Sequence, residues 1–246
     1  MRRVVIGPAG VAAIAMVAGC GPSSPPLSAP VTSMDELHRL FTHAASSQQT
    51  WTVVQDQDSN GEPNTMTCKV QVNPIKASDC ISSVNPTVGD TRTITLPDAE
   101  YLATTNAEQV GDGSWYRYAA TDSPELANTF KYPLADLGTD FYFLPGIATI
   151  AATHADHVDG RDATRYDLDI NTQAPRALPV HLAPRTGKSV TETVQIWIGA
   201  RDLPVRIVIR TTSGDAIDTI TTTYRDWGES LNIQAPPATK TQPGPH

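Results

Sequence analysis

Residues 191–237, TETVQIWIGARDLPVRIVIRTTSGDAIDTITTTYRDWGESLNIQAPP, constrain the fold more than any other stretch. Val194, Ile196 and Ile198 alternate with Thr193, Gln195 and Trp197, the period of two that belongs to a strand with one buried face. After turn residues 199–204, Val205, Ile207 and Ile209 alternate with Arg206, Val208 and Arg210. Ser213-Gly214-Asp215 supplies a second turn, and the β-branched run from Thr219 to Tyr224 supplies a third strand. Such an antiparallel meander has one continuous apolar face, and that face needs a second layer to lie against.

The chain offers that layer early. Ser33-Met34-Asp35-Glu36 is a capping box, with Ser33 as N-cap and Glu36 three residues on. Met34, Leu37, Leu40, Phe41, Ala44 and Ala45 then fall on one helical stripe through about Ser47, while Asp35, His38 and Arg39 face water. Elsewhere the elements are short, because 20 prolines and 16 glycines in 246 residues favour turns over long helices. Aromatic residues make up only 6%, a thin supply for a core.

The first twenty residues set the compartment. Arg2 and Arg3 precede an uncharged apolar run from Val4 to Gly19 that is short for a membrane span and suits a signal peptide. It ends in Val17-Ala18-Gly19-Cys20, which looks like a bacterial lipobox whose cysteine is acylated and becomes the first residue; the alternative is an ordinary signal peptide with an incidental cysteine. Acyl chains at roughly 0.8 kcal/mol per buried methylene would hold Cys20 in the membrane. Residues 20–32, rich in Pro and Ser, read as a semi-extended tether, residues 33–236 as one domain and residues 237–246 as a disordered tail. Loss of Arg2 and Arg3 with the signal takes the net charge from −8 to −10. So acidic a body argues against nucleic acid and against attachment through anionic headgroups.

Between helix and meander lie several hairpins. Trp51–Gln57 and Met66–Val72 flank Asn60-Gly61. Asp56, Asp58 and Asn60 imitate the start of a calcium loop, but Thr67 stands where the bidentate glutamate belongs, and a plain acidic hairpin is expected. Cys68 and Cys80, the two cysteines left in an exported chain, should pair and close a loop of about 13 residues. Residues 91–96, 100–105 and 114–119 read as further strands, with Trp115 and Tyr116 on opposite faces. Ser123-Pro124-Glu125 opens a short helix, and residues 134–150 mix a helical stripe with an interrupting Pro145-Gly146. Residues 152–170 form a hairpin about Asp159-Gly160. Its His154 and His157 are three apart, on opposite faces of a strand, so no metal site is expected. Residues 172–189 are a long Pro-containing loop.

Three stretches together carry a family resemblance: LPDAEYL to GSWYRY over residues 96–118, HVDGRDATRYDLDI over 157–170, and VQIWIGARDLPVRIVI with TTTYRDWGESLNIQAPP. They resemble the actinobacterial LppX/LprG-type lipoproteins, which share the LolA fold. The resemblance implies an α+β architecture: a strongly curved antiparallel β-sheet, a half-barrel, with helices covering its concave face. Between the layers it implies a hydrophobic cavity for an acylated lipid or lipoglycan, for transfer toward the outer envelope. Here Val194, Ile196, Ile198, Val205, Ile207 and Ile209 would line it from the sheet, and Leu37, Leu40 and Phe41 from the helix; alternatively the same residues close into a filled core. A monomer without cofactor is expected, on the extracytoplasmic face of the cell membrane. None of the hydrolase, zinc-protease, P-loop or dinucleotide signatures occurs, so no enzyme is expected. The competing reading is a lipid-anchored scaffold that binds a protein partner.

Overall fold

The computed structural model describes residues 27–83, 90–104, 114–119, 146–171 and 190–244. Cys20, the short helix at Ser123, residues 134–145 and the loop 172–189 lie outside the described residues. Helix α1 spans Met34–Gln48. The Ser33 hydroxyl accepts from the Glu36 N–H at 3.2 Å, and the Glu36 carboxylate accepts from the Thr32 N–H at 3.1 Å. That bond holds the Glu36 carboxyl below the usual glutamate range. Gln49, in the left-handed region at φ 64°, ends the helix.

Among the described residues twelve strands follow: β1 (Thr50–Ser59), β2 (Glu62–Gln71), β3 (Ala77–Ser83), β4 (Asp90–Thr95), β5 (Ala99–Thr104), β6 (Trp115–Ala119), β7 (Ala148–Val158), β8 (Arg161–Ile170), β9 (Val190–Ile198), β10 (Pro204–Ser213), β11 (Ala216–Arg225) and β12 (Thr241–Pro243). They form one sheet in the order β12-β6-β5-β4-β3-β2-β1-β11-β10-β9-β8-β7. Every pairing is antiparallel except β12 on β6. Among the described residues the sheet is open, with β12 at one edge and β7 at the other, and α1 is its single α-helix. The expected meander is β9-β10-β11, joined to the first hairpin where β11 pairs with β1.

Cross-strand register sorts side chains between two faces. The inner face, toward α1, carries Trp51, Val53, Cys68, Val70, Tyr166, Leu168, Val194, Ile196, Ile198, Ile207 and Tyr224, packed with Leu37 and Phe41 into the main core. The outer face of β3–β6 has its own cluster: Ala77, Ile94, Ala99 and Tyr101, covered by Ile233. A third cluster, outside β8–β10, gathers Val158, Ala163, Trp197 and Val205.

Three expectations need correction. Residues 148–150 are the start of β7, not part of a helix, because they pair with Leu168 to Ile170 of β8. Residues 77–83, unread as a strand, are β3. Residues 237–244 are ordered: a turn at Ala238–Lys240 leads into β12, and the Gly244 N–H donates to the Arg117 carbonyl at 2.8 Å. Backbone pairing along β6 supplies the order that this Pro-rich composition does not.

Cys68 and Cys80 are directly opposed across β2 and β3, 4.0 Å apart at Cα, and form a disulfide. The Cys68→Ala/Cys80→Ala double variant is expected to lose roughly 3 kcal/mol of stability, the value for a loop of this length. Denaturant unfolding of the oxidised parent and the variant measures it.

Candidate functional site

The inner face over β8–β11 is tightly packed where α1 meets it. Leu37, Phe41, Val194 and Ile196 each have at most 1% of their surface accessible, which leaves no water-sized space against them. Ile207 is buried in the same cluster, with Leu40 and Ile209 half-buried at its margin. These sequence-selected residues are brought together, as core.

Among the described residues, open volume lies at one end of the sheet. A cleft of about 670 Å³ is bounded by the start of β8 (Arg161, Asp162), the β9–β10 turn (Gly199–Val205), the exit of β11 (Tyr224, Asp226, Trp227) and Leu27 of the N-terminal arm. Its wall is apolar at Leu27, Leu203, Pro204, Val205, Tyr224 and Trp227, whereas Arg161, Asp162, Arg201 and Asp226 place both signs of charge around it. A smaller cavity of about 70 Å³ adjoins the arm, lined by Leu27, Val31, Leu40, Tyr166 and Ile198 among others.

A bulge builds this end. Pro204 opposes Ile198 and Arg206 opposes Trp197, so Val205 is an extra residue with no counterpart on β9. Pro204 lacks an N–H and is tolerated at such a strand start. The bulge turns Val205 away from the face of Ile207 and Ile209, so it packs with Trp197 and Ala163 and lines the cleft. Strict alternation had placed Val205 on the α1 face, and the extra residue corrects that. Gly199 is required here, since a Cβ on it would come within 2.6 Å of Val205 Cγ2.

Aromatic residues brace the cleft. The Trp227 indole N–H donates to the Pro204 carbonyl at 3.1 Å, and its ring lies 5.3 Å from Trp51 and 6.1 Å from Tyr224. Complete burial pushes the Tyr224 phenol far above its ordinary range. The Val31 N–H donates to the Tyr166 hydroxyl at 3.1 Å, tying the arm to β8. Burial also raises the Tyr166 phenol, so this hydroxyl stays neutral.

The other polar candidates are committed locally. His154 sits 3.1 Å from Asp167, and His157 sits 3.0 Å from Asp162, so the H-x-x-H pair diverges to two carboxylates. The Trp197 indole donates to Asp156 at 2.9 Å, the first cause of that carboxyl's depression. Asp56 accepts from Thr65, Asp58 from the Gly61 N–H and Asn60 from the Ile217 N–H, which is hairpin chemistry. Among the described residues no group of three His, Cys, Asp or Glu could hold a metal, and no helix is long and apolar enough to cross a membrane.

No family model and no curated protein matches the chain. Among solved structures it is similar to a chain of the Pseudomonas aeruginosa MucA/MucB complex, at 11% identity and TM-score 0.46 over 82% of this chain. It spans only 61% of that chain's length. It is also similar to a LolA superfamily protein from Nitrosomonas europaea, at 9% identity and TM-score 0.33, covering 82% of this chain and 96% of the other. Likenesses this distant decide neither fold nor function.

Tyr166→Phe removes the acceptor of the Val31 N–H without changing core volume. It is expected to cost about 1 kcal/mol and to speed amide exchange at Val31, read by hydrogen-exchange mass spectrometry.

Proposed function

We propose that the chain is an extracytoplasmic lipoprotein, anchored through an acylated Cys20, that carries an acylated lipid. The observation that supports this reading is the cleft of about 670 Å³ between Leu27, Leu203, Val205 and Trp227, with charge around an apolar wall. Its volume falls in the range of roughly 300–1,000 Å³ common to ligand sites, and its polarity suits an amphiphile. Leu27 lies on the cleft and is only seven residues from Cys20, so the cleft stays within about 25 Å of the bilayer along an extended chain. Exchange with the membrane then needs no cofactor: the wall replaces water around methylene groups. A chain longer than the cleft would have to part α1 from the sheet at Leu37, Leu40 and Phe41.

The second reading, a lipid-anchored scaffold that binds a protein partner, draws on the packed inner face itself, since a filled core leaves less room for a lipid. Mass spectrometry of lipids that co-purify with the chain from residue 20 onward, carrying Cys20→Ser, separates the two. Stoichiometric lipid is the expected result. Lipid-free protein that also takes none from vesicles overturns the carrier. Val205→Trp fills the cleft and is expected to reduce bound lipid about tenfold or more. Cys20→Ser in the full chain is expected to move the protein from the membrane fraction to the soluble one.

A further inference from the structure

The inner face does not end at β2. Register carries it across the sheet in two rows: Val70, Ser78, Thr95, Glu100 and Tyr118, and beside it Cys68, Cys80, Thr93, Leu102 and Tyr116. In this polar half, Glu100 keeps 9% of its surface, and its Oε2 is buried with no hydrogen-bond donor. A carboxylate oxygen withdrawn from water without a donor is costly, and its persistence calls for a partner. Burial raises the Glu100 carboxyl above the ordinary glutamate range. The Tyr118 phenol is likewise raised, by burial first and then by Tyr116 and Glu100. Those two tyrosines are the titratable groups that face Glu100 from β6; β3 and β4 present Ser78, Thr93 and Thr95.

Among the described residues, no positive charge is paired with this cluster. The arginines of β4 and β6 belong to the opposite face: Arg92 pairs with Asp79 at 2.7 Å and lies over Trp115, and Arg117 lies 3.6 Å from Asp98. Tyr116 and Tyr118 are half-buried on the same face as the carboxylate, and an aromatic ring attracts a cation. The net charge of −8 further favours a cation. We propose that Glu100, flanked by Tyr116 and Tyr118 on the inner face of β4–β6, binds a primary ammonium group, with Leu102 alongside for a short apolar substituent. The ammonium donates to the carboxylate and lies against the tyrosine rings. This site is independent of lipid in the cleft.

Titration of the Cys20→Ser chain with n-hexylammonium, n-hexanol and hexanoate, followed by NMR of the tyrosine rings, tests it. Hexylammonium is expected to shift Tyr116 and Tyr118 and to bind about tenfold or more above hexanol, with hexanoate weakest. Glu100→Gln is expected to abolish that preference at an unchanged or higher Tm, and Glu100→Asp to keep part of it. Asp98→Asn, which removes an equal charge from the outer face, is expected to leave binding unchanged. Equal binding by Glu100→Gln and Asp98→Asn, or hexanol as tight as hexylammonium, overturns the proposal. Both results are read without reference to co-purified lipid, so they do not depend on the carrier reading.

Discussion

The seam between α1 and the sheet is the contact on which the rest depends. Leu37 and Phe41 enter the inner face against Val194, Ile196, Ile207 and Tyr166, and none of these keeps more than 4% of its surface. Burial of side chains this size is worth about 1.5–3 kcal/mol each. Strands that lie far apart in the chain meet through this seam, the β1–β11 ladder and the β12–β6 pairing, so the fold rests on long-range pairing. The seam also excludes: with its volume filled, open space is displaced to the end of the sheet, where the bulge at Val205 and the Trp227 bracket keep the strands from closing over it.

Much of this was legible in the sequence. Helix α1 was readable from Ser33, Glu36 and a stripe at helical spacing, and the meander from the alternation of Val194, Ile196 and Ile198, because both signals are local. The Cys68–Cys80 bridge followed from compartment and number. Three features were not readable, each for a physical reason. The bulge at Val205 adds one residue to a strand whose period otherwise runs on unbroken. Strand β12 has a tail's composition and owes its order to β6, more than a hundred residues away. Trp197 alternates with an apolar row and so falls on the opposite face, yet Val158, Ala163 and Val205 pack with it there. The candidate site suffered most, since the cleft is assembled from turns and strand ends with no shared motif.

The sheet is covered on both sides by different means. Inside, a helix and the N-terminal arm do the work; outside, the segment after β11 crosses to lay Ile233 on Ala99 and Tyr101. Hence the two faces of β3–β6 differ in kind. The outer face holds an apolar cluster under Ile233, with Arg92, Asp79 and the exposed Ile81 beside it, whereas the inner face carries hydroxyls and one carboxylate oxygen without a donor. Such asymmetry within one half-sheet is the reason to look for chemistry there.

The Cys68–Cys80 bridge falls where these two regimes meet. Cys68 belongs to the core under α1, while β3 begins the half covered by Ile233. A covalent rung at that boundary keeps β2 and β3 from sliding past each other. Mechanically, the sheet behaves as two leaves riveted along one line, so strain applied at either end cannot be relieved there. Widening on the α1 side must therefore come from the helix lifting or from the β7 end of the sheet, and the polar half moves with β2 as one plate.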